Sequence, residues 1–400
     1  MGGGEISLMD VMASLRARQP DWRLDLVAGE DGPLVQQARD IGVNVVLAPF
    51  PAALARSGDS GSGAFEALWS GLRAGSATMA YKSALRRILA NLDPDIVHTN
   101  GFKMHILGAW TRPKKASLVW HVRDYVSTRP VMKRLLAMNA RKCAAAIGNS
   151  QSVAKDIRKV CGRRLETVCI YNAIDLKRFS PWGPKTDLDA MAGFHPAPAG
   201  TVRIGLVATL AHWKGHEVFL RALARMPKDL PFRAYVVGGP IYQTERSQRT
   251  LDELRVLAAS LKIGDRVGFT EYIADTAGAI RALDVLVHAS TQPEPFGRVI
   301  AEGMACGRAV ISSATGGAAE LIQEGEDALS HPPGDDAALA ERLTQVTKNL
   351  ELRLRLGRAA RTTAERRFDR SRLADQIIPF YTRLRGLPAL QRETEMAAAH

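Results

Sequence analysis

Glu294 and Glu302 frame the stretch Glu294-Pro-Phe-Gly-Arg-Val-Ile-Ala-Glu302, which continues through Gly-Met-Ala-Cys-Gly307 into the β-rich Arg-Ala-Val-Ile311. The amphipathic spacing predicts a helix over about 296–307. Glu294 then sits in the loop ahead of that helix and Glu302 in its second turn, so both carboxylates can face one pocket before the helix N-terminus. Free backbone N–H groups and the helix dipole make such an end an anion site. Gly297, lacking a Cβ, lets a ligand come close to the backbone. A sugar nucleotide suits this set: carboxylates accept hydrogen bonds from hydroxyls while helix amides face phosphates. Glutamates at this spacing also occur on solvated helix faces, so the neighbours Pro295, Phe296, Gly297 and Arg298 carry the distinction.

Other candidates lie where β-rich runs end. Lys214 closes Val207-Ala-Thr-Leu-Ala-His-Trp-Lys-Gly215, between a strand pattern and a helix pattern. Gly238 in Val236-Val-Gly-Gly-Pro240 and the glycines of Ala314-Thr-Gly-Gly-Ala318 could offer backbone amides to phosphate or sugar, although tight turns need glycine anyway. In the first half, strand-like runs over 95–98, 117–121 and 144–148 end in polar residues. Open parallel sheets bind ligands at those ends, so His98, Asn100, His121, Arg123, Asn149 and Ser150 can border one crevice. A packed core histidine is the alternative for His121, and a turn role the alternative for Asp175.

The elements that must position these residues alternate between strand and helix patterns. The first series includes 23–27, 33–41, 43–47 and a long helical stretch over 61–91 interrupted at Gly75, and a second covers 202–208, 232–237, 267–269, 285–288 and 309–311. Such alternation argues for α/β domains with parallel sheets, and 400 residues exceed one ordinary core. The division expected is a domain over 1–180, a proline-rich linker over 181–200, a second domain over 201–370, and a helix over 371–392 with Pro379 as a kink. Glu393 to His400 reads as a frayed tail.

No apolar run approaches the roughly 18 residues of a membrane span, and no signal-peptide pattern opens the chain, so a cytoplasmic setting is expected. Cys143, Cys161, Cys169 and Cys306 lack metal or disulfide spacing and read as reduced thiols. The net charge is +13, and residues 1–180 hold 26 Lys and Arg against 15 Asp and Glu. Cations mixed with apolar residues over 129–142 and 73–87 fit either a face resting on anionic lipid or solvated helix surfaces. No nucleic-acid module accompanies the charge.

The frame Glu-Pro-Phe-Gly-x-x-x-x-Glu-x-x-Ala-x-Gly, with the Lys214-Gly215 segment, resembles glycosyltransferase family four, a retaining family of GT-B fold. The resemblance implies two Rossmann-like parallel-sheet domains facing a central cleft, an acceptor-binding first domain, a nucleotide-sugar-binding second domain, and a last helix returning to the first. It implies Glu302 for the ribose hydroxyls, Glu294 for the transferred sugar, Lys214 for the diphosphate, and His121 as a further contact to that sugar. Gly3 and Gly4 match the family's glycine turn, Tyr272 and Ile273 the nucleobase segment, and His98, Asn100, Arg123 and Asn149 the acceptor side. The family usually has Gly-Arg at Ala208-Thr209, so one cation is absent, and Arg298 or Arg123 could replace it. A hydrophobic strand normally precedes the glycine turn, and the expectation is a natural chain one strand longer upstream. A front-face transfer without metal is implied, the triplets Asp93-Pro-Asp95 and Asp187-Leu-Asp189 looking incidental. A GT-B epimerase or hydrolase, and an inactive nucleotide-sugar binder or membrane scaffold, stay open as alternatives.

Overall fold

The computed structural model describes residues 1–51, 64–239 and 248–386, with side chains left undescribed over 64–74. Pro240, the side chains of Trp69, Leu72 and Arg73, and the tail from Glu393 to His400 lie outside the described residues. In chain order the first half runs α1 (Gly3–Arg18), β1 (Asp25–Ala28), α2 (Pro33–Asp40), β2 (Asn44–Leu47), α3 (Ala64–Leu92), β3 (Ile96–Asn100), α4 (Phe102–Thr111), β4 (Ser117–Val122), α5 (Pro130–Asn139), β5 (Ala145–Gly148), α6 (Gln151–Cys161) and β6 (Glu166–Cys169). Then follow α7 (Leu188–Met191), β7 (Val202–Val207), α8 (His216–Arg225), β8 (Phe232–Val237), α9 (Leu251–Ser260), β9 (Val267–Thr270), α10 (Thr276–Arg281), β10 (Val285–His288), α11 (Arg298–Ala305), β11 (Ala309–Ser312), β12 (Leu329–Ser330), α12 (Asp336–Lys348), α13 (Leu350–Phe368) and α14 (Arg372–Leu384). The helix expected to break at Gly75 runs through it as α3.

Two compact units share these elements. The first comprises Met1–Asn149, Val153–Ile170 and the chain from Ser371 on; the second comprises Ser150–Ser152 and Tyr171–Arg370. In the first, β3-β4-β5-β6 form a parallel sheet while β1 and β2 pair in a separate parallel one. β4 is buried from Leu118 to Val122, the near-continuous burial of a parallel strand covered on both faces. Leu373, Ile377 and Tyr381 give α14 a buried stripe at helical spacing, and Pro379 stands inside an unbroken helical assignment. The helix is tied to α1 through Ser14, whose Oγ accepts from the Ala374 amide at 3.0 Å and donates to the Ser371 carbonyl at 3.2 Å.

In the second unit six parallel strands stand in the order β12-β11-β10-β7-β8-β9. Period-two alternation sends Ile204, Leu206, Val236 and Ile311 into one core and Tyr235, Val237, Leu286 and Val310 into the other. The segment expected as a linker belongs to this unit. Asp189 on α7 is 3% exposed, and its carboxylate accepts from Arg203 at 2.8 Å, Arg233 at 2.6 Å, Tyr235 at 2.5 Å and the Ala197 amide at 3.0 Å. A buried carboxylate with so many donors cannot leave them cheaply, and it pins the proline-rich stretch to β7 and β8. The division between units therefore falls at Ile170–Tyr171 and Arg370–Ser371.

Candidate active site

Neighbouring β7 and β10 mark where the second sheet reverses its order, β8 and β9 lying to one side and β11 and β12 to the other. Loops leaving the C-terminal ends of strands at such a point open a crevice. The loop after β7 turns through a short 3-10 segment, His212–Lys214, and enters α8 at Gly215. The loop after β10 carries Ser290 and Glu294 and enters α11. The two loops are laced together by the Thr291 amide, which donates to the Trp213 carbonyl at 2.8 Å.

Lys214 and Glu294 meet across this point. Lys214 Nζ donates to Glu294 Oε2 at 2.8 Å, Ser290 Oγ donates to the same oxygen at 2.9 Å, and His288 Nε2 stands 3.5 Å from it. Burial alone pushes the Glu294 carboxyl up, but the charge of Lys214 and the contact with His288 outweigh it and hold the group well below the usual carboxylate range. Glu294 is therefore ionised at neutral pH. Its backbone is fixed as well: the Gly317 amide donates to the Glu294 carbonyl at 2.7 Å, and the Glu294 amide to Thr315 at 3.3 Å.

Both glycine motifs serve close packing. A Cβ on Gly317 would lie 2.0 Å from the Pro295 carbonyl oxygen, and its amide is already spent on Glu294. A Cβ on Gly238 would lie 1.9 Å from the Ala208 carbonyl oxygen. These glycines let the strand-end loops crowd together.

The helix starts at Arg298, two residues later than its pattern suggests. Gly297 caps it in a left-handed conformation, φ 87°, and Phe296 is drawn into the core against Tyr171 and Phe368, with ring centroids 6.4 and 6.1 Å away. Phe296 thus anchors the loop. Glu302 lies in the second turn as expected, paired with Arg298 at 3.4 Å, and Arg298 Nη1 also donates to the Ala173 carbonyl at 3.1 Å. With those partners Arg298 is a poor substitute for the cation absent at Thr209. Arg249, which the sequence reading missed, pairs with Glu217 and sends its amide to the Leu210 carbonyl at 2.7 Å. Burial, with the charges of Lys214 and Arg249, lowers His216 to about 4. Tyr272 is 64% exposed after β9, beside Gly239, while Ile273 packs against the core.

The remaining candidates belong to the first unit. Gly3 and Gly4 form the first turn of α1 in place of a turn ahead of it, and the Gly4 carbonyl accepts from Asn100 Nδ2 at 3.3 Å. Asn100 Oδ1 accepts from Arg123 Nε at 2.6 Å, and Asn149 Nδ2 donates to the Arg123 carbonyl at 3.4 Å. His98 and His121 face each other, Nε2 to Nδ1, at 3.1 Å. The ends of β3, β4 and β5 thus gather His98, Asn100, His121, Arg123 and Asn149, while Ser150 groups with the second unit. Arg123 is committed to Asn100 and His121. Among the aspartate triplets, Asp93 pairs with Lys115, Asp95 with Arg385, and Asp187 caps α7.

The second sheet is thus doubly wound, with a paired lysine and glutamate at its switch point. Residues 1–178 match Glycosyltransferase Family 4, and residues 191–363 match Glycosyl transferases group 1. The chain belongs to glycosyltransferase family four and has the GT-B fold, with two Rossmann-like domains. It is 28% identical over 232 residues to spore coat protein SA of Bacillus subtilis, covering 56% of this chain and 60% of that protein. It is 30% identical over 256 residues to the D-inositol 3-phosphate glycosyltransferase of Saccharomonospora viridis, covering 59% of this chain and 57% of that protein. The matches thus span about three-fifths of these curated relatives' lengths. Among solved structures, Anabaena Alr3699/HepE in complex with UDP-glucose superposes with a TM-score of 0.74 at 23% identity, covering 96% of both chains.

Proposed function

We propose that this protein is a retaining glycosyltransferase that moves a hexose-type sugar from a nucleotide sugar to an acceptor in the synthesis of a bacterial-type cell-surface glycan or glycolipid. The observation that carries the reading is the Lys214–Glu294 pair at the β7/β10 switch point. The second unit binds the nucleotide sugar. Lys214 neutralises the diphosphate as it departs, with Arg249 adding positive charge close by, Glu294 accepts from the hydroxyls of the transferred sugar, and Glu302 from those of the ribose. Tyr272 offers an exposed ring to the base. The first unit binds the acceptor through the polar ends of β3, β4 and β5. The departing phosphate assists deprotonation of the acceptor on the same face, and the cations make a metal unnecessary.

Thermal-shift screening with UDP-, GDP- and ADP-sugars, followed by turnover with the sugar that binds, tests this. Glu294→Gln should keep the fold and lower kcat by about 100-fold, the scale of losing one charge-stabilising contact at a reacting centre. Full turnover in that variant would remove Glu294 from the site.

The setting proposed is cytoplasmic and peripheral to a membrane. Among the described residues no helix is long and apolar enough to cross a membrane. On α5, Val131 is 67% and Met138 76% exposed; they stand seven residues apart on one stripe, with exposed Lys133 and Arg134 on the same helix. Co-sedimentation with vesicles containing anionic phospholipid at low salt is expected, and Val131→Asp with Met138→Asp should abolish it. Absence of wild-type binding would defeat the membrane reading and leave the enzymatic one intact.

A further inference from the structure

Four side chains of the first unit form one hydrogen-bonded line. Tyr381 of α14 meets Nδ1 of His98 on β3, and His98 Nε2 stands 3.1 Å from Nδ1 of His121 on β4. Arg123 Nη2 lies 3.2 Å from that same Nδ1. A guanidinium can only donate, so Nδ1 of His121 presents its lone pair and the proton of the neutral ring is on Nε2. His98 Nε2 faces this lone pair and must also donate. Its own Nδ1 is then bare, and the Tyr381 hydroxyl donates to it. Burial, aided by the positive charge of Arg123, keeps both rings neutral, with His98 lowered to about 3 and His121 well below its ordinary value.

The line ends on a group with nothing to bind. His121 is 2% exposed, and its Nε2 has no hydrogen-bond partner among the described residues; the same is true of Oδ1 of Asn149, which is also 2% exposed. Buried polar atoms are almost always partnered in a native protein, and an exception calls for an explanation. Asn149 is linked to the Arg123 backbone, so both orphans lie at the ends of β4 and β5.

We propose that Tyr381 and His98 are positioning residues that, together with Arg123, fix His121 as its Nε2–H tautomer, so that it presents a hydrogen-bond donor to a neutral oxygen of the acceptor. The ligand class rests on the proposed function; the tautomer does not. An imidazole held this way cannot take a proton from the ligand, because its only bare nitrogen already accepts from Arg123 and His98. His121 therefore orients a hydroxyl and does not act as a general base.

The test uses the full chain labelled with 15N-histidine. Long-range 1H–15N spectra should show His98 and His121 each protonated at Nε2 and bare at Nδ1. Tyr381→Phe should take the donor away from Nδ1 of His98, shift the signal of that nitrogen and lower kcat/KM by about tenfold, the scale of one misplaced hydrogen bond. A proton on Nδ1 of His121 in the wild-type protein overturns the proposal, as does a Tyr381→Phe variant with unchanged His98 signals and unchanged kcat/KM. Should that variant fail to fold, the wild-type spectrum decides by itself. The expected tautomers without turnover of any nucleotide sugar would sink the function proposed above and leave the relay standing.

Discussion

Phe296 and Glu294 are two positions apart in one motif, yet the structure gives them opposite tasks. Glu294 faces Lys214 and is kept ionised by it, whereas Phe296 is 3% exposed and belongs to the core beneath the loop. Phe296→Ala should therefore cost stability first, about 3–5 kcal/mol for a buried aromatic ring, and lower the midpoint of denaturant unfolding. A variant with wild-type stability and weakened nucleotide-sugar binding would return Phe296 to the ligand. The motif residues Lys214, Glu294 and Glu302 could be recognised because their chemistry is written in local spacing. His288, Ser290 and Arg249 could not, since what brings them to the site is the adjacency of β7 and β10 and the return of the chain beside Leu210.

At the level of elements, the strands of both parallel sheets other than β6 and β12 were legible to within a residue or two, because burial on both faces makes them short apolar runs. β12, two residues long, has no pattern to read. The start of α11 was placed too early because periodicity does not register a left-handed glycine, and Gly297 delays the helix by two residues. The proline-rich segment over 181–200 looks like a linker by composition. Nothing local reveals that Asp189 will find Arg203, Arg233 and Tyr235 from β7 and β8, so the boundary between units was read about ten residues late.

For the whole molecule, buried histidines set the response to acid. His98 and His105 are lowered to about 3, His216 to about 4, and His121 well below its ordinary value, in each case chiefly by burial. An unfolded chain protonates these rings near their ordinary value of about 6.5 while the folded one does not, so stability is complete above that pH and falls below it, by about 1.4 kcal/mol per pH unit for each ring. The Glu294 pair persists to much lower pH, its folded carboxyl being held below its unfolded value. Scanning calorimetry should show Tm dropping steeply from pH 6.5 to 5; a flat profile would contradict the neutral, buried state of the histidines. Burial lowers His331 as well, so the first unit holds three such rings and the second two, His216 and His331, and the first should be the more acid-labile.

That unit is also built from chain segments made at different times. Its sheet is complete by Ile170, but α14, which supplies Tyr381 and docks on α1, follows the whole of Tyr171–Arg370. At roughly 5–20 residues per second of synthesis, a ribosome needs about 10–40 s to make that intervening stretch. Through that interval the second unit can finish folding while the nascent first one waits with the α1 surface uncovered, a natural client for chaperones.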